Sequence, residues 1–194
     1  MSTKLLETLK IINGTALWLQ FHDERLNNSR RILFNASDRL VLKDWIQVPS
    51  HKGVYKCRIV YAETIESIEY SHYQTRNFQH FKLIEANNLT YDLKYLNRES
   101  LNSLFMQRGD ADDILLIKQG FITDTSIANV AFWHNNKWFT PATPLLNGTT
   151  RERLLKGKQI VTTKIRVNDL KAFSKMAIMN ALLGFYVVEN WQLI

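Results

Sequence analysis

Cysteine, glycine and proline are scarce in this chain of 194 residues, which has one cysteine, seven glycines and three prolines. The single cysteine, Cys57, excludes an intrachain disulfide and a zinc site built from cysteines. So few glycines and prolines argue against collagen-like and low-complexity classes. The chain has no apolar run of about 18 residues and no signal-peptide pattern. We therefore expect a cytoplasmic protein in a reducing compartment, with no membrane partner.

The composition is that of a globular protein with an excess of positive charge. Hydrophobic residues make up 45% and charged residues 22%, which argues against disorder. The net charge of +7 favours anionic partners without saying which ones. Because lysine and arginine are spread along the chain and form no nucleic-acid-binding pattern, we expect no nucleic-acid partner. The length suits one domain or two small ones.

Alternating apolar runs predict a strand-rich α+β fold. Leu5–Ile12 and an extended segment at 17–21 flank Asn13-Gly14, a pair that is typical of a hairpin turn. A helix is expected to begin at His22, and a second short helix is expected at 37–47.

A break in the pattern at residues 85–88 predicts two subdomains, one over 1–86 and a larger one over 87–194. Helices are expected at 99–107, after Gly148 and near 168–173. The remaining apolar runs predict strands at 54–61, 65–70, 78–84, 114–117, 130–133, 137–140, 159–166, 176–182 and 185–188.

Four positions could carry chemistry, and each has an ordinary structural alternative. Gly148 and the two hydroxyls after it could bind phosphate at a helix N-terminus or could simply cap the helix. Lys94, beside apolar residues, could be a nucleophile or a solvated loop lysine. Arg25 could bind phosphate through its planar fork or pair with acidic neighbours at the surface. Asp124, just after an apolar strand, could pair with a buried cation or form an Asx turn or helix cap.

Several motifs occur in a particular order along nearly the whole chain. They are Leu6-Glu7-Thr8 before the Asn13-Gly14 turn, His22-x-x-Arg25-Leu26-x-x-Ser29, Leu93-Lys94-Tyr95-Leu96-Asn97-Arg98, Thr123-Asp124 through Asn129, and Thr140-Pro141 followed by Leu146-x-Gly148-Thr149-Thr150-Arg151. In this order they resemble the class IV, fold-type IV pyridoxal-phosphate enzymes. That family includes branched-chain and D-amino-acid aminotransferases and 4-amino-4-deoxychorismate lyase.

The resemblance implies a fold of two small subdomains with pyridoxal 5'-phosphate as cofactor. By resemblance, Lys94 holds the cofactor covalently and moves protons during the reaction. Asp124 faces the ring nitrogen, and Asn129 of the same motif is expected to bind the cofactor as well. The cofactor phosphate is expected to bind Arg25 and the turn that contains Gly148, Thr149 and Thr150.

Two features depart from the family pattern. The acid is usually glutamate in the family, and Asp124 is one methylene shorter, so we expect a longer or water-mediated contact with the ring nitrogen. A first strand with a glycine-rich turn, which the family's small domain has, is expected to be missing before Lys4. Both departures also leave open a non-catalytic relative that serves as a binding module.

The reaction is expected to be that of a lyase. Asn180-Ala181-Leu182 and Lys94-x-Leu96-Asn97-Arg98 resemble the lyase form of the family more than the aminotransferases. The lyase removes pyruvate from aminodeoxychorismate and leaves 4-aminobenzoate for folate biosynthesis. By resemblance the substrate is an anionic amine, and an amino-acid transaminase remains the alternative. The family likeness also implies a homodimer.

Four further residues are expected to contact this substrate: Thr8, Arg58, Arg98 and Asn180. The two arginines could bind its carboxylates through charge-assisted hydrogen bonds. Their ordinary alternative is a strand-surface or structural arginine.

Overall fold

The computed structural model of the protein describes residues 3–49 and 52–194, which form two compact units. The first unit contains the chain up to Thr75 and Leu93–Asn97, and the second contains Arg76–Asp92 and Arg98–Ile194. The division therefore differs from the boundary near residue 87 that the sequence predicts.

Hydrogen bonds explain where the boundary lies. The strand His80–Glu85 pairs in parallel with the strand Asp113–Lys118, and this pairing holds it in the second unit. The segment Leu93–Asn97 returns to the first unit, where the Leu6 N–H donates to the Lys94 carbonyl at 2.9 Å. Lys94 therefore lies in the first unit and not in the C-terminal one, where the sequence analysis placed it.

The first unit is a four-stranded antiparallel sheet with one long helix. Its strands, in the spatial order β2-β1-β3-β4, are β1 (Leu5–Ile12), β2 (Thr15–Ala16), β3 (Val54–Tyr61) and β4 (Ile65–His72), and its helix is α1 (Leu19–Phe34). Leu5, Leu9 and Ile11 of β1 are 0% exposed and pack in one cluster with Leu26 of α1. Burying each such side chain stabilises the fold by about 1.5–3 kcal/mol, so this cluster fixes the helix on the sheet.

The Asn13-Gly14 hairpin is confirmed, but the strand after it is shorter than expected. β2 ends at Ala16 and α1 already begins at Leu19, whereas the sequence predicts an extended segment through 17–21. The reason is the backbone of Trp18, whose φ of 57° lies in the left-handed region. An extended strand cannot contain that conformation, so the chain turns directly into the helix.

The short helix predicted at 37–47 is reduced to one 3-10 turn at Leu42–Asp44. Side chains of α1 take the backbone donors that a longer helix would use. Asn27 Oδ1 accepts the Leu40 N–H and Asp23 Oδ1 accepts the Leu42 N–H, both at 2.9 Å. Side-chain acceptors of this kind compete with helical hydrogen bonds and hold the segment in an irregular path.

The second unit is built around a nine-stranded mixed sheet. Its strands are β5 (His80–Glu85), β6 (Asp113–Lys118), β7 (Phe121–Thr125), β8 (Asn129–His134), β9 (Lys137–Pro141), β10 (Val161–Thr163), β11 (Lys175–Asn180), β12 (Gly184–Val188) and β13 (Gln192–Leu193). The spatial order is β10-β9-β8-β7-β6-β5-β13, with β11 pairing along β8 and β12 pairing with β11. The pairs β5/β6, β5/β13 and β9/β10 are parallel, and the others are antiparallel.

Two short helices accompany this sheet, α2 (Glu99–Phe105) and α3 (Thr149–Lys156), with 3-10 turns at Met106–Arg108 and Val167–Ala172. The main core consists of fully buried side chains from several strands, among them Phe81, Leu115, Val130, Phe132 and Met176. Most predicted elements are confirmed, and the predicted strand at 159–166 is shorter, as β10. The strand-rich fold of the class expected from the sequence is thus confirmed.

Within residues 3–49 and 52–194, no helix is long and apolar enough to cross a membrane. The same residues contain no group of three or more His, Cys, Asp or Glu side chains that could hold a metal ion.

Candidate active site

Lys94 lies in a segment that is anchored on both sides. Its neighbours Leu93 and Tyr95 pack into the core of the first unit, and Leu93 is 9% exposed. The Lys94 carbonyl accepts the Leu6 N–H of β1 at 2.9 Å. The lysine side chain is half-buried. Its backbone is therefore fixed by the sheet and by apolar packing, while the amine is carried on a flexible four-carbon stem.

Arg25 does not pair at the surface, because it binds a buried carboxylate of β1. Its Nε and Nη2 donate to the two oxygens of Glu7, each at 2.7 Å. His22 Nδ1 lies 2.6 Å from Glu7 Oε2, and the Glu7 side chain is 0% exposed. Burial alone would raise the pKa of Glu7, but Arg25 and His22 together lower it to about 2. Glu7 is therefore an ionised acceptor that fixes one edge of the Arg25 guanidinium.

Glu7 and His22 are functional-site candidates that the sequence analysis did not single out. One signal was present, since Glu7 is the only charged residue at the odd positions of β1, where Leu5, Leu9 and Ile11 are buried. A charge at a core position of a strand is rare unless it is paired.

Thr8 and Arg58, which were predicted separately, lie directly opposite each other on β1 and β3. Arg58 is also opposite Glu69 of β4, and its Nη1 is 3.3 Å from Glu69 Oε2. Both side chains of this ion pair are exposed to solvent in part, at 33% and 63%. The structure therefore brings Thr8 and Arg58 to one face of the first sheet.

Asp124 is a buried carboxylate at the end of β7. Asn129 Nδ2 donates to its Oδ1 at 2.7 Å and the Leu146 N–H donates to its Oδ2 at 2.9 Å. Asn129 also donates to the Leu146 carbonyl at 2.8 Å. Burial raises the pKa of Asp124 to about 7, against the lowering effect of these hydrogen bonds and of Arg151. A nearby cation would therefore strongly favour the ionised form.

The predicted phosphate turn lies beside this carboxylate. Gly148 precedes α3, and a side chain there would overlap Asn129 Oδ1. Thr149 and Thr150 are buried at the N-terminus of α3, where the first helical hydrogen bond runs from Glu152 N–H to the Gly148 carbonyl. The preceding N–H groups have no acceptor within the helix, which makes this end of α3 suitable for an anion.

Arg151 is a further residue of this region that was not predicted as a site residue. It is 5% exposed, its Nη2 donates to the Pro141 carbonyl at 2.9 Å, and its charge lowers the pKa of Asp124. Its position directly after Thr150 in the phosphate motif was the available signal. Arg151 is thus the cation that partly compensates the Asp124 carboxylate.

Gly148→Ala should damage this arrangement through steric overlap. The new methyl group would displace Asn129 and with it one hydrogen bond to Asp124. We expect a loss of about 1–3 kcal/mol in the free energy of unfolding, measured by urea denaturation. The exposed neighbour Asn147 offers a control, since Asn147→Ala should change stability by less than about 0.5 kcal/mol. Equal stability of the two variants would contradict the role assigned to Gly148.

Arg98 and Asn180 both bind the loop between β7 and β8. Arg98 Nη2 donates to the Ser126 carbonyl at 2.5 Å, and Asn180 Nδ2 donates to the Ile127 carbonyl at 3.2 Å. Asn180 Oδ1 also accepts the N–H groups of the two residues that follow Ala181. These contacts hold the loop that joins Asp124 to Asn129. The predicted contact of both side chains with a substrate stays a prediction.

Comparison with known proteins identifies the family. Residues 4–191 match the family model described as amino-transferase class IV. The chain belongs to the class IV aminotransferase family. It is 38% identical over 184 residues to an uncharacterised protein of Haemophilus influenzae, a match that covers 93% of this chain and 98% of that relative.

Solved structures agree with this class IV assignment. A crystal structure of a proposed 4-amino-4-deoxychorismate lyase from Haemophilus somnus 129PT is 31% identical, with a TM-score of 0.89, covering 95% of this chain and 98% of that one. A hypothetical aminotransferase from Mycobacterium tuberculosis in its PLP-bound form is 17% identical, with a TM-score of 0.79, covering 97% and 81%. At 17% identity, the similarity to the Mycobacterium tuberculosis structure supports the fold alone.

The predicted class IV site residues are divided between the two units. The first unit contains Thr8, Arg25, Arg58 and Lys94, and the second contains Arg98, Asp124, Asn129, Gly148, Thr149, Thr150 and Asn180. Within the second unit, one group lies at the N-terminus of α3. In it, Asn129 donates to Asp124 and packs directly against Gly148, where no side chain would fit.

Proposed function

We propose that this chain is a pyridoxal-phosphate-dependent enzyme and that its reaction is the lyase reaction of the family. The observation that carries the proposal is the buried Asp124 carboxylate, held by Asn129 beside the N-terminus of α3. The carboxylate suits a protonated ring nitrogen, and the helix N-terminus suits a phosphate. The family membership supports the same cofactor.

The residues present fit this cofactor. Gly148 lets the backbone before α3 pass directly against Asn129, where any Cβ would overlap Oδ1, so the Asp124 carboxylate and the N-terminus of α3 lie side by side. The N-terminus of α3 and Arg25 would bind the phosphate, and Asp124 would face the ring nitrogen. Bound pyridoxal phosphate supplies an electron sink for the bond that breaks.

The remaining chemistry falls to side chains of this chain. A cation next to Asp124 would lower its raised pKa, so the carboxylate would stay ionised and hold the proton on the ring nitrogen. The Lys94 amine would hold the cofactor through its aldehyde carbon until the substrate amine takes its place there. The released amine would then accept a proton from the substrate carbon and return one. The anchored backbone of Leu93–Asn97 would keep that amine at one place during both steps.

The lyase reaction is favoured over transamination by two observations. The stretch Asn180-Ala181-Leu182 resembles the lyase form, and Asn180 forms a turn here through Oδ1. The Haemophilus somnus protein, which is 31% identical across nearly the whole chain, is named as a proposed 4-amino-4-deoxychorismate lyase. The substrate would be aminodeoxychorismate, the products pyruvate and 4-aminobenzoate, and the enzyme a homodimer serving folate biosynthesis in the cytoplasm.

The purified protein, supplied with pyridoxal phosphate, tests this function. We expect a visible absorption band and, after borohydride reduction, a covalent label on the peptide that contains Lys94. With aminodeoxychorismate, pyruvate should be released without any 2-oxoacid acceptor. Amino transfer that needs an acceptor would support the transaminase instead. Absence of both the band and the label would contradict an enzyme of this type and favour a non-catalytic binding module.

A further inference from the structure

The chain contains two Asn-Gly pairs in nearly the same local sequence. Asn13-Gly14 lies between an isoleucine and a threonine, and Asn147-Gly148 lies between a leucine and a threonine. Such pairs are chemically labile, because glycine has no side chain to hinder attack of its backbone nitrogen on the asparagine side chain. Since the flanking residues are so alike, a difference in lability between the two pairs must come from the fold.

The fold opposes this reaction at Asn13. The φ angles of Asn13 and Gly14 are 46° and 81°, and Ile12 pairs with Thr15 across them, which makes a type I′ turn. In such a turn ψ of the first central residue is about 30°, so the Gly14 nitrogen points away from the Asn13 side chain. Asn13 Oδ1 also accepts the Gly53 N–H at 2.9 Å. Attack on this side chain would therefore have to open the turn and break that hydrogen bond.

Asn147 is under neither restraint. It is exposed in the irregular segment between β9 and α3, and its side chain makes no hydrogen bond to any residue in 3–49 or 52–194. The neighbouring nitrogen belongs to Gly148, at the N-terminus of α3. The partial positive charge of a helix N-terminus favours loss of a proton from an N–H group there. The fold thus leaves the Asn147 side chain free to turn and makes the attacking nitrogen more reactive.

We propose that Asn147 deamidates spontaneously in the folded protein and that this conversion disables the anion-binding end of α3. The Gly148 nitrogen, after losing its proton to hydroxide, forms a bond to Asn147 Cγ. The bond from Cγ to Nδ2 breaks, and ammonia leaves. Water then opens the cyclic imide at either carbonyl and gives aspartate or isoaspartate. No oxidant or reductant takes part.

Both products change the phosphate turn that the sequence predicts. Each places a carboxylate directly before α3, where it takes the positive end of the helix and repels a phosphate. Isoaspartate also adds a carbon atom to the main chain before Gly148, which already lies against Asn129 with no room for a Cβ. Because Asn129 donates to Asp124 at 2.7 Å, its displacement would disturb that carboxylate as well. The loss of cofactor binding rests on the proposed function, whereas the deamidation itself does not.

The first measurement compares the two pairs within one molecule. The protein is incubated without added cofactor at mildly alkaline pH, and both pairs are followed by peptide mapping with mass spectrometry. In the folded protein, Asn147 should convert at least about tenfold faster than Asn13, because the turn holds Asn13 away from the geometry of attack. In concentrated urea the two rates should agree within about twofold, since the fold no longer distinguishes the pairs.

A matched variant links the modification to cofactor binding. Asn147→Gln keeps a side-chain amide but would have to close a larger ring, which forms much more slowly. Before incubation it should bind pyridoxal phosphate as the wild type does, with affinity measured by titration of the visible absorption band. After the same incubation, the wild type should lose at least about tenfold in affinity and the variant less than about twofold.

Three results would overturn the proposal. They are conversion of Asn147 no faster than that of Asn13 in the folded protein, the same preference for Asn147 in urea, and equal loss of affinity in the incubated wild type and Asn147→Gln. The proposed function is judged separately by the absorption band of fresh protein. If that band is absent while Asn147 still converts preferentially, the proposed function fails and the deamidation site stands. If the band is present and Asn147 is unreactive, the reverse holds.

Discussion

Lys94→Ala is expected to lower turnover by at least about 1,000-fold while leaving the protein folded. The proposed reaction needs an amine at this position, first to bind the cofactor and then to move a proton. Alanine supplies neither function. The fold should survive because the contact of Lys94 with β1 is made by its backbone carbonyl, and because Leu93 and Tyr95 provide the packing. Turnover, the visible absorption band and the melting temperature are the three measurements.

A second lysine makes the comparison specific. Lys118 is also partly buried, and its Nζ donates to the Leu89 carbonyl at 2.7 Å. Lys118→Ala should lower stability slightly, by about 1 kcal/mol, and should keep both the absorption band and turnover. If Lys94→Ala retained the band and the wild-type rate, Lys94 would not be the cofactor lysine. If both variants lost the band alike, the effect would come from damage to the fold.

The sequence motif predicts that Lys94 is the reactive amine, but it does not predict which unit contains Lys94. That position depends on the hydrogen bond between the Leu6 N–H and the Lys94 carbonyl, which joins positions far apart in the chain. The same limit applies to Thr8 and Arg58. Each is visible in the sequence, but the strand register that sets them opposite each other depends on long-range pairing. Local patterns therefore predicted the elements better than the boundary between the units.

The errors in secondary structure have a common physical origin. At residues 17–21, the left-handed backbone of Trp18 overrides an apolar pattern that suits a strand. At residues 37–47, Asn27 and Asp23 take backbone donors that a helix would need. One backbone conformation decides the structure in the first place and two side-chain acceptors decide it in the second, and neither is visible in the hydrophobic periodicity of the sequence.

Glu7→Gln should be the most destabilising single substitution discussed for the first unit, with a loss of about 3–5 kcal/mol in the free energy of unfolding. Glutamine keeps nearly the same shape but removes the charge that compensates Arg25. The arginine would then be left largely buried beside a neutral amide that can also clash with its donors. Urea denaturation at neutral pH measures the loss. The exposed ion pair of Arg58 is the control, because Glu69→Gln should cost less than about 1 kcal/mol.

The pH dependence of stability provides the decisive second measurement for Glu7. Its pKa falls from 4.5 to about 2 on folding, so the folded protein binds this proton less readily than the unfolded chain. The ionised Glu7 therefore contributes stability above about pH 4.5, and this contribution is lost as the pH falls from there towards 2. The wild-type free energy of unfolding should drop by about 3 kcal/mol more than that of Glu7→Gln across this window, since one pKa unit corresponds to about 1.4 kcal/mol. Parallel curves for the two proteins would show that Glu7 is not an ionised partner of Arg25, and the fixed position of that guanidinium would then need another cause.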